Sequence, residues 1–166
     1  MAEAAREAVE RIPYGLLLAR LGQESTARFR RSLRPLNLGA QQFIVLKQLQ
    51  TMGPTSQTGL ADALGIDYSN MANVTADLCD RGVMNRRRDE ADRRRYVLEL
   101  TEEGEQLLAD ADLMLGEGEE EMLSVLSETE REQLREILRR MADALQLCPE
   151  SGSEAEACAE VASEPE

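Results

Sequence analysis

The chain has 166 residues, with 19 Lys and Arg against 32 Asp and Glu, a formal net charge of −13, no His and no Trp. That length suffices for one domain plus an extension, with a core that needs no staples. No apolar run approaches the ~18 residues of a membrane helix, and the charged segment 1–11 lacks the apolar stretch of a secretory signal. A cytoplasmic protein with no membrane partner is the expectation. The 3 Cys are odd in number and widely spaced, which argues against a disulfide framework or a Cys-only zinc site. Nothing in the chain calls for a metal or a cofactor. Net acidity argues against a nucleic-acid partner. The charge is uneven, however: the acid excess lies beyond residue 104, and six Arg fall between Arg86 and Arg95.

Taken in chain order, Ile12, Leu16, Leu17, Leu21, Phe29 and Leu33 recur with a helical period, so a long first helix is predicted over Ile12 to Leu33, with Pro13 in its first turn. Pro35 breaks it. Ala40 to Met52 reads as a second helix burying Phe43, Ile44, Leu46 and Leu49, and Gly53-Pro54 ends it. Thr55 or Ser56 caps a third helix reaching Leu64, Gly65 turns the chain, and Asp67 caps a fourth. In the fourth helix Met71, Val74 and Leu78 form one buried stripe, leaving Ser69, Asn70, Asn73 and Asp77 on the other side, and Gly82 closes it.

Val83 to Arg88 and Arg94 to Leu100 then read as two short strands around a polar turn, with Tyr96, Leu98 and Leu100 alternating against Val97 and Glu99. Thr101 caps a fifth helix running to about Leu126, with Gly116 and Gly118 as potential bends. Ser127 to Glu130 is a capping box that opens a sixth, with Leu134, Ile137, Leu138, Met141 and Leu145 inward. After Cys148-Pro149 the chain is rich in Glu, Ser and Ala and is expected to be an acidic disordered tail.

Helix, three-residue turn, helix and basic hairpin make a winged helix-turn-helix, so the fold class is mainly α with a small β wing. Ala61 is small where the two helices cross, and Gly65 suits a turn that needs positive φ. In such a unit the second helix lies in the major groove. Ser69, Asn70 and Asn73 then reach base edges, and an Asn pairs bidentately with adenine. Tyr68 is a candidate for a phosphate or a thymine methyl. Arg86, Arg87, Arg88, Arg93, Arg94 and Arg95 crowd one hairpin, where phosphates or a narrow minor groove would offset their repulsion. Two plainer readings stand beside these. The polar residues also suit a solvated helix face, and Asp89, Glu90 and Asp92 also suit neutralising the Arg.

Leu78, Gly82, Val83, the Arg86 to Arg88 run, Asp92-Arg93-Arg94 and Leu100-Thr101 with Gly104 resemble the signature of the MarR (multiple antibiotic resistance regulator) family of winged helix-turn-helix transcription factors. The resemblance covers Ile12 to about Leu147. It implies a homodimer joined through its first and last two helices, and binding to a near-palindromic operator on double-stranded DNA. It further implies a repressor released by a small molecule or by oxidation. On that pattern Arg94 enters the minor groove and Asp92 orients the wing. The family often carries basic residues where Asn73 and Asp77 stand, which implies fewer phosphate contacts here.

The expected organisation is a dimerisation helix over 1–34, the winged unit over 35–100, dimerisation helices over 101–148 and the tail over 149–166. The apolar stripes of the first, fifth and sixth helices would leave a large exposed patch on a monomer, unless they fold back on their own subunit. Tyr14, Arg20, Arg28 and Phe43 are candidates for an effector cleft. With no His, metal sensing is disfavoured. Thiol sensing through Cys79 or Cys158 stays open beside a structural role for Cys79. Two readings compete with a ligand-responsive repressor: a winged-helix protein-interaction module without specific DNA binding, favoured by Asp77 and Asp80, and a thiol-responsive regulator. An enzyme is not expected, since the chain has no Ser-centred nucleophile motif and no Gly-rich phosphate loop.

Overall fold

The computed structural model describes residues 12–89 and 93–145. The elements are α1 (Tyr14–Leu33), a 3-10 turn (Arg34–Leu36), α2 (Ala40–Met52), α3 (Gln57–Leu64), α4 (Tyr68–Asp80), β1 (Met84–Arg88), β2 (Tyr96–Leu100), α5 (Glu102–Leu123) and α6 (Glu128–Ala144). The mainly helical fold with a two-stranded antiparallel wing matches the expected class. The expected tail, with Cys148 and Cys158, lies outside the described residues, as does Asp92.

Local chemistry accounts for most boundaries. Pro13 stands at the N-cap of α1 and not inside its first turn, its carbonyl accepting from the Leu16 and Leu17 amides at 2.9 and 3.2 Å. Ser56, and not Thr55, caps α3 by accepting from the Gly59 amide at 3.1 Å. Thr55 is committed elsewhere: it exchanges both backbone hydrogen bonds with Leu98, at 3.1 and 2.7 Å. Gly65 (φ 61°) turns the chain between α3 and α4. A side chain there would suffer the left-handed penalty of about 1–2 kcal/mol. Ser127 and Glu130 form the capping box of α6, the Ser127 amide donating to Glu130 Oε2 at 2.8 Å.

One core gathers the elements. Leu33, Ile44, Val45, Leu46, Leu49, Leu60, Met71, Leu78 and Met84 are buried in it together with Leu108 and Ala111 of α5. Each large side chain among them contributes roughly 1.5–3 kcal/mol through removal from water. The winged unit and the helix that follows it therefore share a single apolar interior. In α4 the buried stripe is Met71, Thr75 and Leu78, with Val74 half-buried. Thr75 is the unexpected member. Its hydroxyl donates to the Met71 carbonyl at 2.8 Å, which offsets the cost of burying it.

Several expectations need correction. The strands start later, at Met84 and Tyr96, so Arg94 and Arg95 belong to the turn and not to β2. The alternation along β2 fails, because Val97 and Leu98 are both buried while Tyr96 is exposed. Leu98 enters the core, whereas Val97 lies opposite Arg87, whose ion pair with Glu99 spans the same row of side chains. On α6, Ile137, Leu138 and Met141 are exposed, as is Leu145 at its C-cap, and none of the helix's residues is fully buried. The described residues of the subunit offer this stripe no cover. Finally, α5 ends at Leu123 and runs through Gly116 and Gly118; at Gly118 it approaches α1 so closely that a Cβ would stand 2.9 Å from Ser32 Oγ.

Candidate nucleic-acid interface

The candidate interface is built on α4 and the wing. Asp67 caps α4 with one carboxylate oxygen, which accepts from the Ser69 amide at 2.9 Å, the Asn70 amide at 3.3 Å and the Ser69 hydroxyl at 2.5 Å. The Ser69 hydroxyl, then the two amides, hold the Asp67 carboxyl below its ordinary value. The four expected α4 residues are all exposed. They differ in how free they are. The Ser69 proton is spent on the cap, and the Tyr68 hydroxyl donates to Asp62 on α3 at 2.6 Å, which raises the phenol's pKa. Among the described residues the Asn70 and Asn73 carboxamides make no hydrogen bond, so they are the groups with donor and acceptor capacity left for base edges.

Asp77 faces the same side but is engaged. It accepts from Gln42 Nε2 at 2.5 Å, and Arg81 Nη1 lies 4.0 Å away. Gln42 also accepts at Oε1 from the Gly39 amide at 2.7 Å and from Arg81 at 3.2 Å, and Arg81 reaches the Leu36 carbonyl at 3.4 Å. These groups line a polar cleft of about 590 Å³ with Arg34, Asn37 and Leu38. Nothing in the sequence pattern singles out Gln42 or Arg81. Asp77 thus anchors the far end of α4 to the start of α2.

In the wing, β1 and β2 pair from Met84 with Leu100 to Arg88 with Tyr96. Arg86, Arg88, Arg93 and Arg94 all reach the surface. Arg88 Nη1 donates to the Arg93 carbonyl at 2.5 Å, tying the two sides of the turn together. Arg86 and Arg88 both stack on Tyr96, with Cζ atoms 4.6 and 4.9 Å from the ring centroid. Arg87 is the exception, since it points to the opposite face and is neutralised by Glu99. Glu99, its neighbour across the strands, is a carboxylate that answers it.

The four effector candidates do not converge within the subunit. Arg28 lines a cavity of about 220 Å³ between α1 and α5 with Ser25, Phe29, Ser32, Leu115, Gly118, Glu119 and Met122. Phe43 is buried one ring away, packed edge-on against Phe29 at 5.6 Å. Tyr14 is 87% exposed, and at 1.5 Å per residue it lies about 21 Å along α1 from Arg28. Arg20, also exposed, lies two turns before Arg28 and off the cavity wall. Arg28 is bound by Glu24 at 2.8 Å and Glu121 at 3.3 Å. Cys79 is half-buried at the end of α4; burial first, then Asp80, push its thiol pKa up despite Arg86. That lowers its thiolate fraction and hence its reactivity at neutral pH. Among the described residues no group of three His, Cys, Asp or Glu side chains is placed to hold a metal ion, and no helix is long and apolar enough to cross a membrane.

The MarR family model matches residues 38–96, which is the winged unit from just before α2 to the start of β2. The transcriptional regulator HosA of Escherichia coli O111:H- is 33% identical over 128 residues, 76% of this chain and 93% of HosA. Among solved structures, a mutant of MepR from S. aureus bound to an oligodeoxyribonucleotide superposes with a TM-score of 0.64 at 26% identity, covering 81% of this chain and 99% of that one. The PcaV transcriptional regulator from Streptomyces coelicolor gives 0.67 at 27% identity, over 81% of this chain and 98% of its own.

Proposed function

The chain belongs to the MarR family, whose members are transcriptional regulators and not enzymes, and from that premise we propose that it works as a homodimeric, sequence-specific repressor released by a small molecule. The observation that carries the reading is one surface. An Asp67-capped helix presents the unengaged Asn70 and Asn73 beside a wing exposing Arg86, Arg88, Arg93 and Arg94. Helix in the major groove, wing on the flanking backbone and minor groove is the docking this surface suits. Tyr68 and Ser69 are assigned to the base side of the contact, Tyr68 through its ring to a thymine methyl and Ser69 as an acceptor from a base amino group, because their protons are already used and phosphate offers none. Asp92 is assigned to orienting the wing on the family pattern alone.

Dimerisation rests on exposed apolar residues at both ends of the chain: Leu16, Leu18 and Leu21 of α1, and Ile137, Leu138 and Met141 of α6. A monomer with this much apolar surface in water would be unusual. We assign residues 1–34 and 101–148 to the dimer contact and residues 35–100 to the reading head. The cavity at Arg28 is the preferred effector site, and the cytoplasm is the expected compartment. An interaction module without DNA binding is less well supported, since Asp77 serves Gln42 and is not a free acidic patch.

A mobility-shift and footprinting experiment on the DNA upstream of its own gene tests the reading. A specific, salt-sensitive complex with two protected half-sites is expected. The absence of any specific site at low salt would overturn it.

A further inference from the structure

One face of the wing carries an arrangement that the reading head does not need for its fold. On it, side chains of β1 and β2 alternate from the buried Met84 and Leu98 outward to Arg86, Arg88 and Tyr96. Tyr96 stands directly opposite Arg88 and diagonally from Arg86. Both guanidinium carbons lie within 5 Å of its ring centroid, well inside the ~6 Å reach of a cation–π contact. Tyr96 is 42% exposed and takes no part in the core cluster. Two cations have been drawn to one aromatic ring at the surface, where their mutual repulsion works against the arrangement.

A carboxylate would neutralise these cations and consume their donors, as Glu99 does for Arg87. A ring does neither. It holds a guanidinium through its π face and leaves the in-plane N–H groups pointing outward, in the fork that matches a phosphate. Arg88 spends one of these donors on the Arg93 carbonyl, which fixes it further. Holding a flexible Arg in its bound geometry beforehand saves ordering entropy when the anion arrives.

We propose that Tyr96 is a positioning residue for DNA binding, holding Arg86 and Arg88 as one preset pair for backbone phosphate beside the groove that α4 occupies. This rests on the DNA-binding reading above. Phosphate carries no sequence, so the pair raises affinity for every duplex and leaves base preference unchanged.

The test uses the full-length protein and two probes, its own upstream DNA and a duplex of random sequence, titrated from about 50 to 200 mM salt. Tyr96→Leu is expected to weaken binding to both about fivefold with the salt slope unchanged, because both cations remain. Tyr96→Phe keeps the ring and binds like wild type. Arg86→Ala and Arg88→Ala each lower the slope by about 0.9. In the Arg86→Ala/Arg88→Ala background, Tyr96→Leu has no further effect. Without DNA, the Arg86 and Arg88 Nε–Hε NMR signals shift upfield under the ring, and that shift disappears in Tyr96→Leu.

If wild type binds and Tyr96→Leu matches it, this inference fails alone. If Tyr96→Leu still costs fivefold without the two Arg, the ring is merely structural and the inference fails. If wild type shows no salt-sensitive DNA binding, the functional reading fails and takes this one with it.

Discussion

Gln42 and Asp77 lie 35 residues apart in sequence yet meet at 2.5 Å, Gln42 Nε2 donating to Asp77 Oδ2. The same Gln42 side chain closes the open N-terminus of α2 through the Gly39 amide. One residue therefore caps one helix and anchors another, and its loss exposes both. Gln42→Ala is expected to cost about 1–2 kcal/mol, the range of a lost cap plus a hydrogen bond to a charged group. A double-mutant cycle with Asp77→Ala, measured by urea unfolding, should give a coupling of roughly 0.5–1.5 kcal/mol. Strict additivity would mean that the two residues act separately.

Gly104 allows α5 to start where it does. A Cβ there would stand 2.1 Å from the Val83 carbonyl oxygen, and backbone cannot yield as a flexible side chain can. Thr101 holds the junction from the other side, donating its hydroxyl to the Gly82 carbonyl at 2.8 Å and accepting from the Gly104 amide at 3.0 Å. Gly104→Ala should destabilise the chain by about 3 kcal/mol or prevent folding, at the upper end of overpacking costs. Gly116→Ala, which meets open space, is the control and should be neutral or slightly stabilising. Thermal melts of the pair decide it.

Asp67 links the N-terminus of α4 to pH. Its folded pKa lies below the ordinary 3.8 because the ionised carboxylate accepts from Ser69 and Asn70. A depressed folded value means that the stabilisation is fully present above the unfolded value of 3.8 and is lost as pH falls through the folded value. Asp67→Asn can still cap but cannot titrate. Its stability should therefore vary less with pH in the acid range, as read by circular dichroism melts. Equal acid sensitivity of the two proteins would show that the cap does not contribute.

Asn73 and Arg94 should fail in different ways. Asn73→Ala should change the preference at one or two base pairs, by about 1–3 kcal/mol against the wrong base. Arg94→Ala should weaken binding and reduce the salt slope by about 0.9. Selection from a randomised duplex pool separates the two. If both variants lose affinity equally for every sequence, the roles assigned to them are wrong.

Most of the fold is legible in the sequence because it is written locally. Asp67, Gly65 and the Ser127–Glu130 box act on backbone groups within a few residues, so their spacing alone announces the helix ends. The strand pattern misleads because Thr55 bonds to Leu98 across the fold, a long-range event that leaves no period in the sequence. The Gln42–Asp77 contact is hidden for the same reason. The apolar stripe of α6 is real, but it faces outward and not into its own subunit's core. Sequence reports which residues avoid water, and not whether their cover comes from the same subunit. Of the interface, the Asn and Arg residues stand out by type and spacing, whereas the stacking of two Arg on Tyr96 needs the strand register.

The paired backbone bonds between Thr55 and Leu98 have a mechanical meaning. Thr55 leads directly into α3, and Leu98 is the centre of the wing's second strand. Helix-turn-helix and wing are thus stitched at two separate points of the chain, once through α4 into β1 and once across this bridge. Such a head resists internal bending and turns as one piece, like a key whose teeth cannot shift against each other. In the proposed dimer, a signal arriving through α1 or α5 would then act on how far apart the two heads stand and how they are angled. The shape of each head would stay as it is.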